Sequence, residues 1–179
     1  INEGLNPQNI IKVGSPMREV LHYYKNDIDA SDVLERLKLS SDKYYLISSH
    51  REENIDTNNF GGFVEILQHL SKKATCIVST HPRTRKRLEK ENISFNENII
   101  FNKPLAFTDY VKLMQNSICV LSDSGTITEE SSILSLKSIN LREVHERPEG
   151  SEEMPALMTG LSKDRLIQAV SLIKKHHKD

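Results

Sequence analysis

The sequence has little cysteine, and what it has points away from disulfide and metal chemistry. Its two cysteines, Cys76 and Cys119, each lie in a short apolar segment of the kind that forms buried strands. Two buried free thiols explain this placement better than a disulfide or a pair of metal ligands does. We therefore expect a cytoplasmic protein without a disulfide or a metal site.

The sequence also lacks an excess of either charge and any long apolar run. It has 24 Lys and Arg residues against 25 Asp and Glu residues, for a formal net charge of -1. This balance gives no reason to expect a nucleic acid or a membrane surface as a partner. No apolar run approaches the ~18 residues that a membrane span needs, so we expect no span. The opening residues also lack a signal-peptide pattern, so we expect no signal peptide.

A length of 179 residues suits one domain with a substantial core. The first residue is Ile1, and residues 1–15 offer only a polar turn and a short predicted strand at 10–13. This opening resembles the middle of a longer protein. We therefore expect a fragment or an expressed domain, with further residues upstream.

Short apolar runs alternate with helical patterns along the rest of the chain. Thr108 is a possible N-cap, Thr126 and Glu129 fit a capping box, and a weak linker signal covers residues 26–32. Repeated strand–helix units predict an α/β fold with a doubly wound, Rossmann-like parallel sheet. Strands are predicted at residues 44–48, 76–79, 98–101, 118–121 and 138–141, and helices at 60–70, 82–91, 107–116, after Gly125 and at 163–176.

Polar motifs follow nearly every predicted strand. In a doubly wound sheet, ligands bind at the carboxyl ends of the strands. The sequence therefore predicts a site at this edge of the sheet. The motifs concerned are residues 49–51, 80–82, 104–105 and 122–125, with Arg142 and Arg147 after the fifth strand.

The most informative motif is residues 122–130 (SDSGTITEE). Ser124 and Gly125 form a small-residue turn between a buried strand and a helix, where backbone N–H groups and the helix dipole attract anions. Glu130 follows about two turns into the segment and could reach a sugar hydroxyl. A diphosphate that carries a ribose would satisfy both features, which indicates a nucleotide-handling enzyme. The alternative is that Asp123, Ser124 and the glutamates only cap the helix and complement its dipole.

Two further segments carry cationic groups for an anionic ligand. His50 and Arg51, in the turn at residues 48–54, could stabilise the charge that develops on a departing diphosphate. Arg147, in the charged loop at residues 142–150, could reach an anionic substrate. Each segment could instead be a solvated loop that has no ligand.

An apolar slot for a flat base could be formed by Pro104, Leu105, Phe107 and Tyr110, although a packed helix N-terminus explains them equally well. The basic segment at residues 80–87 lacks the wide charge and interleaved aromatics of a nucleic-acid surface. It is better explained as a solvated helix face, with His81 alone pointing to the cleft.

Taken together, four motifs resemble the non-hydrolysing UDP-N-acetylglucosamine 2-epimerases, bacterial enzymes with the two-domain glycosyltransferase-B architecture. The resemblance covers the whole chain but only the C-terminal half of the family. It implies that residues 1–20 are a crossover segment from a missing N-terminal domain. Residues 21–179 would be the UDP-binding domain, including its terminal helix, of an enzyme that is a homodimer at full length. The motifs are residues 49–54, 103–105, 122–125 with Glu129 and Glu130, and 146–149, in the family's order and spacing.

The resemblance also implies a reaction and a set of site residues. The family inverts sugar C2 of a UDP-2-acetamido sugar by eliminating UDP and adding it back, without a metal or a nicotinamide cofactor, and supplies precursors of bacterial surface polysaccharides. His50 would be catalytic, beside the diphosphate. Arg147 would bind on the sugar side, and His81 would line a second, activating site. The residues implied to bind UDP are Arg51, Leu105, Tyr110, Ser124, Gly125, Thr126 and Glu130.

Two departures from the family pattern affect these expectations. Many members have a second glycine where this chain has Thr126, which alters the diphosphate cradle. The family's acid–base carboxylates lie in the N-terminal domain, so we expect the isolated chain to bind UDP weakly and to epimerise nothing.

Three other functions remain open at this stage. The motifs at residues 47–54 and 79–84 look closer to capsule-pathway enzymes that form UDP-N-acetyl-L-fucosamine. A nucleotide-binding half of a glycosyltransferase would share the same fold and the same glutamate–ribose contact. A non-catalytic interaction module, whose motifs serve only as caps, would not bind UDP.

Overall fold

The computed structural model describes residues 4–11, 14–49, 60–80, 82–91, 93–142 and 156–175. Within them, six parallel strands form one sheet in the order β3-β2-β1-β4-β5-β6. This is the strand order of the doubly wound dinucleotide-binding folds, so the predicted Rossmann-like architecture is confirmed. The strands are β1 (Tyr44–Ser48), β2 (Thr75–Ser79), β3 (Ile99–Asn102), β4 (Cys119–Ser122), β5 (Ser138–Asn140) and β6 (Ala156–Met158).

The helices connect and cover these strands. Three short helices precede β1, and one helix follows each of β1, β2, β3, β4 and β6 in the described residues. They are α1 (Met17–Tyr23), α2 (Lys25–Ala30), α3 (Val33–Arg36), α4 (Phe60–Leu70), α5 (Pro82–Lys90), α6 (Phe107–Asn116), α7 (Ile127–Leu134) and α8 (Lys163–Lys175), with a 3₁₀ turn at Pro7–Asn9.

Two apolar cores lie on the two faces of the sheet. The central strands are buried on both sides and therefore have continuous apolar runs, as parallel strands do. Tyr45 and Ile47 pack in one core with α4 and α8, whereas Tyr44 and Leu46 pack in the other with α6 and α7. The alternation along β1 fixes which helices cover each face.

Both cysteines are free and buried, as the sequence indicates. Burial raises the pKa of the Cys76 thiol to about 12. A thiol with so high a pKa stays protonated at neutral pH and is a poor nucleophile. Cys76 therefore contributes to the core and not to a reactive site, and Cys119 is buried in the same core.

Helix α4 approaches the turn before α8 closely at Gly62. A Cβ on Gly62 would lie 2.5 Å from the carbonyl oxygen of Leu161, whereas a Cβ on Gly61 would meet no atom within 4 Å. Two adjacent helical glycines therefore differ in whether the packing around them leaves space for a larger side chain. Gly62 allows the helix to pack against backbone, and Gly61 has no such steric requirement.

Several local predictions were wrong. Residues 26–30 of the linker predicted at residues 26–32 are helical, as part of α2, because Ile28 is buried in the core that contains Tyr44 and Leu46, despite the polar residues around it. Helix α6 is preceded by Ala106 as its N-cap, so Thr108 lies inside the helix and caps nothing. Residues 10 and 11 are exposed and are not in a strand. Strand β6 was not predicted, because three half-buried residues give no periodic signal.

Candidate functional site

The candidate site lies where the strand order reverses, between β1 and β4. From this point the chain progresses to β2 and β3 on one side and to β5 and β6 on the other. Ser48 pairs with Ser122 at the carboxyl ends of the two strands, and the Asp123 N–H donates to the Ser48 carbonyl at 3.2 Å. Doubly wound folds bind ligands in the crevice outside such a reversal point.

A cavity of about 430 Å³ opens at this edge of the sheet. Its apolar wall comes from the chain after β3 and the first turn of α6, and consists of Pro104, Leu105, Phe107 and Tyr110. The Phe107 ring is in edge contact with the Tyr24 ring, with 5.6 Å between the centroids. A flat apolar group therefore has both aromatic and aliphatic surface to pack against.

The polar wall of the cavity comes from the ends of three strands, from the turn between β4 and α7, and from α7 itself. It consists of Ser48, Ser79, Ser122, Ser124 and Glu130. The cavity thus contains Leu105, Tyr110, Ser124 and Glu130, which are four of the residues predicted from the sequence. Gly125 and Thr126 follow Ser124 in the chain but do not line the cavity.

The turn before α7 is held by its own side chains. The Ser124 N–H donates to Ser122 Oγ at 3.1 Å, and the Thr126 N–H donates to Ser124 Oγ at 3.3 Å. The hydroxyls of Ser124 and Thr126 are 3.0 Å apart. These bonds place Ser124 at the cavity and fix the start of the helix, whose positive dipole end favours an anion.

The predicted capping box at Thr126 and Glu129 is not formed. Thr126 has helical dihedral angles instead of the extended ones that an N-cap needs, and its side chain makes no cap bond. Its hydroxyl instead donates to Glu130 Oε1 at 3.1 Å, and Glu129 accepts a hydrogen bond from the Ser15 hydroxyl. Thr126 therefore orients the carboxyl of Glu130 in the cavity.

Burial perturbs two titratable groups of the cavity. It raises the pKa of Glu130, although the hydrogen bond from Thr126 acts in the opposite direction. Burial also raises the pKa of Tyr110 to about 12, helped by the nearby charges of Glu130 and Asp123 and opposed by hydrogen bonding with Ser48 and Ser122. The Tyr110 hydroxyl is therefore neutral at physiological pH and able to donate a hydrogen bond.

The remaining predicted site residues, His50, Arg51, His81 and Arg147, lie outside the described residues. Their predicted roles remain predictions. The described residues immediately before two of them, Ser49 and Thr80, are buried at the same edge of the sheet as the cavity.

Two cavity residues were not named as ligand candidates at the sequence level: Ser48 and Ser79, the last residues of β1 and β2. Ser122, the last residue of β4, belongs to the predicted motif at residues 122–125. Each is a serine that ends an apolar run. That pattern alone gives a usable signal, because a hydroxyl at the carboxyl end of a buried parallel strand points toward the crevice region.

A second cavity, of about 560 Å³, lies between α5 and β3. Leu88, Ile93, Phe95 and Phe101 form half of its lining. Thr80, from the predicted motif at residues 80–82, also lines it, whereas none of the residues individually predicted to bind UDP is among its described lining residues. Larger volume alone does not make it the candidate site, since it lies away from the β1–β4 reversal point.

The described residues offer no other obvious ligand chemistry. Among them, no group of three or more His, Cys, Asp or Glu side chains is arranged to hold a metal ion. None of the helices in the same residues is both long enough and apolar enough to cross a membrane.

Comparison with known proteins agrees with this geometry. A family model described as UDP-N-acetylglucosamine 2-epimerase matches residues 1–179. The chain belongs to the UDP-N-acetylglucosamine 2-epimerase family. The match includes every motif from which the resemblance was inferred.

Individual members of the epimerase family are similar in both sequence and structure. A UDP-N-acetylglucosamine 2-epimerase from Methanocaldococcus jannaschii is 36% identical over 141 residues, covering 74% of this chain and 38% of that protein. The structure of the Rickettsia bellii epimerase matches with a TM-score of 0.88 and 46% identity, over 97% of this chain and 47% of that one.

A further match is to a structure solved with ligands. The M. jannaschii epimerase in complex with UDP-GlcNAc and UDP matches with a TM-score of 0.82 and 30% identity, over 96% of this chain and 50% of that one. In each of these three comparisons, this chain spans half or less of the length of the epimerase.

Proposed function

We propose that this chain is the UDP-binding, C-terminal half of an enzyme that inverts C2 of a UDP-2-acetamido sugar. The observation that carries the proposal is the cavity at the β1–β4 reversal point. It combines an apolar wall that includes Leu105 and Tyr110 with Ser124 and Glu130 at the start of α7. A base needs the first wall, and a ribose diphosphate needs the second.

The proposed roles follow from this division of the cavity. Leu105 and Tyr110 flank the uracil, where base–aromatic stacking contributes about 1–3 kcal/mol. The Glu130 carboxylate accepts hydrogen bonds from the ribose hydroxyls. The turn at Ser124, Gly125 and Thr126 holds the diphosphate near the positive end of the α7 dipole.

Four cationic or ionisable residues complete the proposal on the sequence evidence alone. His50 and Arg51 would stabilise the charge on the diphosphate as the bond to the sugar breaks. Arg147 would bind the sugar. His81 would line a second UDP-sugar site.

The proposed reaction is an elimination followed by an addition. Loss of the C2 proton and cleavage of the bond between C1 and the diphosphate oxygen give UDP and a 2-acetamidoglucal. UDP then adds back at C1 while a proton is delivered to the opposite face of C2. The family resemblance assigns the proton transfers to the other half of the enzyme. This chain alone should therefore bind UDP without epimerising a UDP-sugar. A precursor of a bacterial surface polysaccharide is the proposed product.

Calorimetric titration of UDP into this chain tests the binding half of the proposal. We expect saturable binding to the wild type and weaker binding to Glu130→Gln. Glu89→Gln, the same chemical change at an exposed position beside the other cavity, is the matched control and should bind as the wild type does. If all three proteins fail to bind UDP, or bind it equally, the cavity assignment is wrong.

A second experiment tests the reaction in the protein that carries both halves. Incubation with UDP-GlcNAc alone should give the C2 epimer together with traces of UDP and the glycal. A glycosyltransferase would instead consume the donor only when a sugar acceptor is added. Turnover that depends on an acceptor would therefore replace the epimerase proposal with the transferase one.

A further inference from the structure

Three buried polar side chains meet beside the cavity without lining it. The Ser49 hydroxyl donates to Asp123 Oδ2 at 2.9 Å, and the Thr84 hydroxyl donates to the Ser49 carbonyl oxygen at 3.1 Å. Ser49 is 1% exposed, and Thr84 and Asp123 are both 0% exposed. The three residues come from the end of β1, from α5 and from the end of β4.

The hydroxyls of Ser49 and Thr84 form hydrogen bonds between segments that are far apart in the chain. A threonine hydroxyl in a helix can donate to a backbone carbonyl three or four residues earlier in the chain. Thr84 instead bonds to a residue of another segment, 35 positions away. The hydroxyl of Ser49 donates to a carboxylate, and hydrogen bonds to charged groups are stronger than neutral ones.

The consequence is a fixed exit from β1. Ser49 is the first residue after the strand, and both its hydroxyl and its carbonyl are held by other elements. Asp123 is held in turn, because its N–H donates to the carbonyl of Ser48. The chain therefore leaves β1 in a defined register relative to the turn at residues 122–125, which contributes Ser122 and Ser124 to the cavity.

We propose that Ser49, Thr84 and Asp123 form a positioning clamp, which fixes the end of β1, the strand that leads into the motif beginning at His50, against the predicted diphosphate turn at residues 122–125. The proposal rests on the proposed function, in which those two motifs act on the same diphosphate. None of the three residues lines the cavity, so they act through their neighbours and are positioning residues.

The clamp should affect turnover more than binding. A displacement of about 1 Å at a reacting group can lower the rate by about 100-fold, whereas a loosely held ligand keeps most of its contacts. Removing one clamp bond is therefore expected to lower kcat by about 10- to 100-fold and to change KM by less than about 3-fold.

Thr84 offers a matched pair of variants for the test. Thr84→Val keeps the shape of the side chain but removes the hydroxyl, and Thr84→Ser keeps the hydroxyl but removes a methyl group. In the full-length protein we expect the Val variant to lose turnover and the Ser variant to retain most of it. The folded fraction of each, from thermal unfolding and from UDP titration, is used to express kcat per folded enzyme.

The outcomes separate the two levels of the proposal. An inactive wild type that does not bind UDP overturns the proposed function, and the clamp with it. An active wild type with Thr84→Val equal to it in kcat overturns the clamp alone. Loss of activity only in proportion to unfolded protein shows a structural role and also overturns the clamp. If Thr84→Val does not fold, Ser49→Ala provides the same measurement from the other bond.

Discussion

Replacing Glu130 should weaken UDP binding by the free energy of the hydrogen bond that its carboxylate is proposed to make to the ribose. Its carboxyl lines the cavity, and its Oε1 already accepts one hydrogen bond from Thr126 at 3.1 Å. A hydrogen bond to a charged acceptor contributes about 1.5–3 kcal/mol. Since each 1.4 kcal/mol is about tenfold in affinity, Glu130→Ala should raise the dissociation constant for UDP by roughly 10- to 150-fold.

Glu130→Gln is the sharper variant because it keeps the volume and an oxygen acceptor for Thr126. It exchanges a charge-assisted bond to the ribose for a neutral one, which contributes about 0.5–1.5 kcal/mol. The expected loss in affinity is therefore smaller than that of the Ala variant, roughly 5- to 15-fold. An affinity of Glu130→Gln equal to that of the wild type, together with a loss in Glu130→Ala, would show that charge is not what Glu130 contributes.

The pH dependence of stability follows from burial. Burial raises the pKa of Glu130 above its unfolded value of 4.5, so the folded protein holds this proton more tightly than the unfolded chain does. The ionised carboxyl therefore costs stability above the folded pKa, and stability is recovered as the pH falls through that value. Glu130→Gln should accordingly unfold at a higher temperature than the wild type near pH 7, and the difference should shrink toward pH 4.

UDP binding should show the opposite trend. The wild type should lose affinity as the pH falls through the raised pKa, because the protonated carboxyl is a weaker acceptor. UDP has its own phosphate titration with a pKa of about 6, so the quantity to compare is the ratio of wild-type to Glu130→Gln affinity between pH 5 and 8. A ratio independent of pH, together with unchanged stability in the Gln variant, would refute the role assigned to Glu130.

Three other predictions address packing, the base and the chemistry. Gly61→Ala should stabilise the protein by about 0.5–1 kcal/mol in urea unfolding, whereas Gly62→Ala should destabilise it by about 1–3 kcal/mol because its Cβ would overlap the Leu161 carbonyl oxygen; equal effects would contradict the packing described. Tyr110→Phe should keep UDP affinity within about 3-fold, whereas Tyr110→Ala should lose about tenfold or more, since stacking contributes about 1–3 kcal/mol; equal losses would assign the contribution to the hydroxyl. In D₂O the isolated chain should incorporate no deuterium at C2 of UDP-GlcNAc, as followed by NMR, while the protein with both halves should.

The sequence predicted those parts of the fold that depend on local apolar patterns. The core strands could be found because parallel strands buried on both faces need continuous apolar runs, as at residues 44–48. The order of the strands could not be found in this way, since it depends on contacts between segments far apart in the chain. Strand β6, at Ala156–Met158, was missed because its three residues carry no periodic signal and its strand conformation depends on pairing with β5.

Residues that line the candidate cavity could be anticipated where a motif follows a buried strand. Ser124 and Glu130 line the cavity because β4 and α7 fix them at the carboxyl edge of the sheet. The local chemistry of Thr126 was predicted wrongly, since a capping box is judged from neighbours in sequence, whereas its hydroxyl donates to a carboxyl that lies at the cavity. Ser49 and Thr84 were not recognised as partners, because no sequence pattern links residues 35 positions apart.

The cavity chemistry also supports the proposal that this chain binds UDP without epimerising a UDP-sugar. Inversion at C2 requires one group to remove a proton from one face and another group to deliver a proton to the opposite face. Among the described residues that line the cavity, Glu130 is the one carboxylate, and it is held by Thr126 at the start of α7. The other ionisable group there, Tyr110, has a pKa of about 12 and keeps its proton. One fixed carboxylate cannot serve both faces of a sugar, so under the proposed function these residues would retain the departing UDP, and the proton transfers would require groups from elsewhere in the enzyme.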